Sequence, residues 1–397
     1  ENVNRKKTEI SMVNMKLLEA AANMYIEQHP NMYASTFEAD GSTYCITLQE
    51  LVNSNLLTTP FKDIEGKEVD YSKLIKATYD FNHNTFTYGD SLYDNSTCTE
   101  IINYINRPIL SGGMIPIVYE NNVLKKADIN SKWYNYTNRI WANAVLVKES
   151  SRYNYANSLA GTIINEDDIL GYFVWIPRFK YQLFDSDTRS EIDIVFENVG
   201  TSKSTGTLAG QWLTHPAFTY NNQELSGIWV GKYASSNQDG NIVIKNDTPW
   251  INMDYNEAND KINSMINIGN IYGLDKVNTH MTRNSEWSAI TYLANSKYGI
   301  NAIMDLSSTT TGNITGIYNM VGNKEYVILD ASTINDLGHS LLETDNWTGN
   351  PNTFIDNDNL YMTRGGSSIF NYDKSKINSS DATFRVILIN KDTSTDY

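Results

Sequence analysis

The groups able to do covalent or metal chemistry in this 397-residue chain are few and far apart. Its two cysteines, Cys45 and Cys98, lie in the first quarter. His215, His280 and His339 stand singly, without the His-x3-His spacing that would present two metal ligands from one helical face. Glu286 opens a helical pattern, where a carboxylate favours the helix dipole. A catalytic role for it would need a base or a metal ligand beside it, and the sequence offers none there. The run Asp356-Asn357-Asp358-Asn359 alternates side-chain oxygens that suit a hard cation. It lacks the glycine turn and the closing bidentate glutamate of a calcium loop, so it is read as a solvated loop. The Gly-x-x-Gly patterns follow no strand-turn-helix layout and carry no nucleotide signal.

What remains is the chemistry of recognition. Residues 342–385 form a polar-aromatic mosaic. Asn346, Trp347, Asn350, Asn352, Asp356, Asn357, Asn359 and Tyr361 precede the stretch Thr363-Arg364-Gly365-Gly366. Ser367, Ser368, Phe370, Asn371, Tyr372, Asp373, Ser375, Asn378, Ser379 and Asp381 follow it. Tyr and Trp supply rigid amphipathic area, and Ser, Asn and Asp supply adaptable hydrogen bonds, as in binding loops generally. These residues fit no core periodicity and are taken as the ligand-binding set. Compositional bias is the alternative, because the whole chain is rich in Asn and Ser.

The elements that must position this face are readable in outline. Residues 3–28 have helical periodicity, with Ile10, Val13, Leu17, Ala20 or Ala21, and Met24 as the expected buried face, and His29-Pro30 ends it. Leu48, Leu51, Val52 and Leu56 form a shorter periodic stretch. Ile75, Ala77, Tyr79 and Phe81 alternate up to Asn82-His83-Asn84, with Phe86 and Tyr88 beyond, which predicts a hairpin. Arg107-Pro108 and Ser111-Gly112-Gly113 mark a boundary. Further on, GYFVWIPRFKYQ from Gly171 and ELSGIWVGKY from Glu224 alternate like half-buried strands. With Trp133, Tyr134, Tyr136 and Trp141 they are read as core rather than as a sugar-stacking platform. Two helices are expected, at residues 252–274 around Met253, Ile262, Met265 and Ile266, and at 285–297 with Trp287, Ile290, Leu293 and Ala294 inward and Gly299 as the cap.

Composition narrows the partners. The net charge is −15, from 46 acidic and 31 basic residues. Such a surface repels phosphate backbones, so nucleic acid is not an expected partner, and polyanionic glycans and anionic lipids are disfavoured likewise. A low charged fraction with abundant Tyr and Asn suggests an extracellular surface protein. In that setting an even cysteine count favours a Cys45–Cys98 disulfide over a buried free pair. The sequence contains no run long enough to cross a bilayer. It starts at Glu1 rather than Met, so an anchoring segment is expected before it.

Two resemblances extend this reading. TRNSEWSAITYLANSKYG from Thr282, TGNITGIYNMVGNKEYV from Thr311, TRGGS from Thr363 and TFRVIL from Thr383 resemble, in order, the core segments of the formylglycine-generating-enzyme branch of the C-type lectin fold. In that family the thiol-oxidising enzymes depend on cysteines inside the fold and their iron-dependent relatives on clustered histidines. This chain has neither in the region, so the resemblance implies a non-enzymatic member without a cofactor. The mosaic between the framework segments resembles the variable region of proteins diversified by retroelements. The first hundred residues resemble the globular part of a type IV pilin or pseudopilin, through NRKKTEI, CITLQELVNSNLL, PFKDIEGK and the closing Cys98.

The expected fold is therefore α+β: a pilin-like helix plus small antiparallel sheet over residues 1–107, a C-type lectin (formylglycine-generating-enzyme-like) fold over 108–390, and a tail over 391–397. The expected function is a surface-displayed, pilus- or pseudopilus-associated adhesin or receptor. It would bind a protein or glycan ligand and contact pilin or pseudopilin subunits through the N-terminal helix. A phage receptor-binding or tail protein is one alternative. An enzyme of the formylglycine-generating type with unconventional ligands is the other.

Overall fold

The structure, a computed structural model, describes residues 10–30, 32–33, 40–81, 83–131, 133–182, 191–199, 211–300, 309–330, 361–369, 371–375 and 378–391. The chain divides into two compact units, Glu1–Ile105 and Asn106–Tyr397.

In the first unit, Ser11 caps α1 (Met12–Gln28), its side chain accepting from the Asn14 backbone N–H. Strand β1 (Thr43–Thr47) runs directly into α2 (Leu48–Asn53), where Thr47 and Glu50 form a capping box. Strands β2 (Leu74–Asp80) and β3 (Thr85–Tyr88) make the hairpin anticipated around Asn84, which has the left-handed φ of 50° that the turn requires. The sheet order is β1-β2-β3. Leu18, Ala22, Ile46, Leu48, Leu51, Ile75 and Ala77 form the core.

The face of α1 differs from the expectation. Met15, Leu18, Ala21, Ala22, Tyr25 and Ile26 are buried, while Val13 is 73%, Leu17 56% and Met24 51% exposed. Both sides of this helix carry apolar residues, so periodicity could not choose between them, and packing against the sheet did.

Cys45 and Cys98 are disulfide-bonded, with Cα atoms 6.1 Å apart. The bond ties β1 to the segment after β3. That segment also bonds to β1 through Thr43, which donates its N–H to Ile101 O at 2.7 Å and its hydroxyl to Thr99 O at 3.0 Å. Closing a loop of 53 residues restricts the unfolded chain by about 4 kcal/mol on the loop-entropy estimate. Reduction is accordingly expected to lower the melting temperature of this unit alone. All eight tryptophans follow residue 132, so a tryptophan-fluorescence transition that shifts equally on reduction would contradict this.

The second unit begins with β4 (Met114–Glu120), β5 (Val123–Lys126), β6 (Asn143–Val147), α3 (Glu149–Asn157) and β7 (Ile169–Pro177). The small strands β8 (Phe179–Gln182), β9 (Ile194–Phe196) and β10 (Trp212–Thr214) form one sheet. The ribbon β11 (Thr219–Tyr220) and β12 (Gln223–Glu224) precedes β13 (Gly227–Gly231), and the ribbon β14 (Ser236–Gln238) and β15 (Asn241–Val243) follows it. After α4 (Tyr255–Asn263) come β16 (Val277–Met281), α5 (Asn284–Ala294) and β17 (Lys324–Val327). The described chain closes with β18 (Tyr361–Gly365), β19 (Tyr372–Ser375), β20 (Ala382–Thr383) and β21 (Val386–Asn390).

Seven strands in the order β16-β21-β13-β7-β6-β4-β5 make an antiparallel sheet, and β19-β18-β17-β20 make a mixed one, in which β20 runs parallel to β17. The expected α+β class, a pilin-like helix and sheet followed by a C-type lectin fold, is overturned. The described residues are 33% strand and 20% helix, a mixed, sheet-rich fold of many small antiparallel sheets with five α-helices among them.

Turn chemistry explains the excess of short hairpins. Asn121-Asn122, Asn221-Asn222 and Asp239-Gly240 each supply two consecutive positive φ values between paired strands. That is the backbone of the two-residue turn whose twist matches antiparallel pairing. Asn richness is thus partly a folding device.

Two further expectations change. Strands β7 and β13 are buried at every position, Trp175 and Trp229 packing 5.2 Å apart, so they do not alternate. Both faces of the large sheet are covered there, and Trp133 and Trp141 are buried as well. The helix expected over 252–274 is the shorter α4 plus one 3-10 turn. Helix α5 ends at Ala294, ahead of Gly299. That glycine instead permits a close approach: a Cβ there would lie 2.2 Å from Ala294 O.

Candidate functional site

Strand β17 builds the base of the site by alternation. Glu325 and Lys324 are adjacent, so their side chains leave the strand on opposite faces. Glu325 turns inward, fully buried, and pairs with the fully buried Arg385. The guanidinium donates from Nε to Glu325 Oε2 at 3.0 Å and from Nη2 to Oε1. Its other N–H groups reach Gly231 O at 2.7 Å and Tyr318 O at 2.9 Å. Burial holds the Glu325 carboxyl above its ordinary pKa, opposed by the Arg385 charge. Lys324 turns outward, with 41% of its side chain exposed.

The hairpin β18–β19 is pinned onto the start of β17. Gly366 N–H donates to Asn323 O at 2.8 Å, and Gly322 N–H donates to Gly366 O at 2.7 Å. Gly365 has φ 86°, and a Cβ on it would sit 2.5 Å from Asn323 O, so glycine is required there by both conformation and space. From beneath, the buried indole of Trp287 on α5 donates to Ile369 O at 2.8 Å. Within the loop, Asn371 Nδ2 donates to Ser367 Oγ at 2.7 Å.

Around this support lies a cleft of about 580 Å³. It is lined by Gly322, Asn323 and Lys324, by Gly366, Ser367 and Asp381, and by Thr248, Pro249 and Ile251. Lys324 Nζ stands 3.8 Å from Asp381 Oδ2. The Asp381 carboxyl lies below its ordinary pKa, first because the Ser379 hydroxyl donates to it and then because of the Lys324 charge.

Of the residues anticipated for binding, Ser367 and Asp381 line the cleft, and Asn371 and Ser379 hydrogen-bond to those two. Tyr372 and Asp373 are exposed on β19, and Ser368 and Asn378 are half-buried. Tyr361 is half-buried against Tyr255, with ring centroids 4.9 Å apart, which makes it part of the support. Asn346, Trp347, Asn350, Asn352, Asp356, Asn357, Asn359 and Phe370 lie outside the described residues, as does the side chain of Ser375. Asn323 and Lys324 were not anticipated, because they fall in a stretch read as framework. Thr248, Pro249 and Ile251 come from a short connection that carries no motif.

Two buried polar clusters elsewhere in this unit are built as supports. His215 and Ser288 are both buried, with Nε2 3.1 Å from Oγ. Nδ1 accepts from the Ala217 N–H, so the proton of the neutral ring resides on Nε2 and the imidazole donates to Ser288. An imidazole in that state cannot take the serine proton. Burial, assisted by the Arg283 charge, pushes the His215 pKa down to about 3. Glu286, expected to stand alone, in fact meets His280 Nε2 at 2.7 Å and Arg283 Nε at 3.0 Å. Burial would raise its pKa, and the charges of Arg283 and His280 outweigh that and hold it low. Among the described residues no group of three His, Cys, Asp or Glu side chains could hold a metal ion.

No protein-family model matches the chain, and no curated protein matches it.

Proposed function

We propose that the protein is a surface-displayed, pilus- or pseudopilus-associated adhesin or receptor that binds a protein or glycan without turning it over. The observation that carries this reading is a hairpin pinned by Gly365, Gly366 and Trp287 that presents Ser367, Asn371, Tyr372 and Asp373 beside a cleft. Rigid support beneath, with Tyr, Asn, Ser and Asp above, is how a recognition surface limits the entropy lost on binding. The Asn, Ser, Asp and Tyr positions are ones that sequence diversification can vary without touching the framework.

Association with pilin or pseudopilin subunits is supported by the exposed apolar stripe of α1, Met12, Val13, Leu17 and Met24, which leaves a helix face open to a neighbour. The disulfide is consistent with an extracellular location. No described helix is long and apolar enough to cross a membrane.

Changing Asn371, Tyr372 and Asp373 together to alanine should abolish capture of the surface partner. The tryptophan-fluorescence melting temperature should move by no more than about 4 °C, since Tyr372 and Asp373 are exposed and the half-buried Asn371 gives up a hydrogen bond to Ser367 worth about 1 kcal/mol. Retained capture, or unfolding of the variant, would remove the basis for the reading.

A further inference from the structure

We infer that Lys232 and Asn143 join covalently, the Lys232 amine displacing ammonia from the Asn143 carboxamide to leave an amide between the end of β13 and the start of β6. Lys232 follows the last residue of β13 and is fully buried, and Asn143, the first residue of β6, is 1% exposed. Strand β7 lies between the two strands, and Asn143 and Val230 both pair with Val174 on it. From two positions beyond Val230 the lysine side chain reaches past β7, and its Nζ meets Asn143 Oδ1 at 2.5 Å. Nζ also donates to Ile314 O. The other end of the carboxamide is held by the backbone, Nδ2 donating to Trp141 O at 3.0 Å and to Thr315 O at 2.8 Å, so its carbonyl end is the one turned to the amine.

Aminolysis needs a neutral amine, because an ammonium has no lone pair to give. Among the described residues no carboxylate pairs with Lys232, and burial pushes its pKa well below the ordinary lysine value. The ring faces of Tyr119 and Tyr318, 5.0 and 5.8 Å from Nζ, favour the ammonium, but they return less than an unpaired ion gives up in hydration. With both partners buried, water is excluded as a competing nucleophile. Free in solution, an amine attacks a carboxamide very slowly. Fixed apposition raises the effective concentration of well-oriented groups to about 10⁵–10⁸ M, and folding makes the apposition permanent. Nζ forms the bond to Cγ, the Cγ–Nδ2 bond breaks, and one Nζ proton goes to the departing Nδ2, which leaves as ammonia. No oxidant, reductant or cofactor is consumed. The link spans 89 residues of sequence and fastens β6 to β13 independently of the hydrogen bonds that each makes to β7. A surface-held protein pulled through its partner thereby gains resistance to separation of these strands.

Intact mass spectrometry of the full chain, with the disulfide reduced, tests this. The mass should fall short of the sequence mass by one ammonia, and the deficit should be absent from Lys232→Met and from Asn143→Leu. Fragmentation of a tryptic digest should find one branched peptide carrying both residues, with no cleavage after Lys232. A wild-type chain at its full sequence mass would overturn the inference. So would a deficit that persists in Lys232→Met, since that places the loss of ammonia in a succinimide at an asparagine and not in a bond to the lysine. The wild-type mass and the branched peptide decide between these outcomes even where a variant does not fold. Capture of the surface partner is a separate readout, so failure here leaves the binding reading untouched.

Discussion

Arg385→Ala is expected to destabilise the second unit by about 3–5 kcal/mol, the scale for breaking a buried ion pair by removing one partner. The loss is of this size because four groups depend on one guanidinium: both Glu325 oxygens and the carbonyls of Gly231 and Tyr318. Truncation leaves a carboxylate with no exposure and no counter-charge. Because burial already holds Glu325 above its ordinary pKa, it should bind a proton in the variant, and the defect should shrink as the pH falls. Replacing both partners, Arg385→Met with Glu325→Leu, should recover much of the loss, since an apolar pair avoids the desolvation cost. Urea denaturation followed by tryptophan fluorescence reads this unit selectively. A loss under about 1 kcal/mol for Arg385→Ala would mean that the ion pair does not hold β17 to the connection between β20 and β21.

Acid should destabilise the same unit through His215. Its pKa falls from 6.5 to about 3 on folding, because a charged imidazole loses its hydration in the core. The folded state therefore keeps the ring neutral while the unfolded chain protonates it. The contribution is fully present above pH 6.5 and is lost progressively as the pH falls towards about 3. At about 1.4 kcal/mol per pH unit the total is on the order of 5 kcal/mol. Glu286, held low by its cationic neighbours, adds a loss in the same direction below its unfolded pKa. Comparison with His215→Phe isolates the histidine: the variant starts less stable, with Ser288 and the Ala217 N–H unpartnered, yet its stability should depend less on pH between 6.5 and 3. Parallel pH profiles for the two proteins would show that His215 is not the titrating group.

How much was legible follows from the range of the forces involved. The stop at His29-Pro30, the α2 periodicity around Leu48 and Leu51, and the hairpin about Asn84 are local effects of backbone sterics and spacing, and each maps onto an element. The pairing of Cys45 with Cys98 was also readable, since two cysteines leave one possible intrachain bond. The contact between Glu286 and His280 was not, because His280 lies on a strand and Glu286 on the following helix, and no single periodicity relates the two. The cleft was read in part. Ser367 and Asp381 stood out by type, whereas Lys324 became visible as a site residue once strand alternation turned it away from Glu325.

The sequence by itself determined the turns, the caps and the residue types of the exposed loop, because these depend on φ preferences and side-chain chemistry within a few positions. Tertiary structure decided the fold class, the buried face of α1 and the grouping of Thr248, Asn323, Ser367 and Asp381 around one cleft. An apolar residue such as Leu17 or Leu18 can serve either side of a helix, and only competition among all possible burials assigns one of them, Leu18, to the core. The same holds for Arg385 and Glu325. They lie 60 residues apart and become partners only because that burial brings β17 beside the connection between β20 and β21, where each charge meets the other.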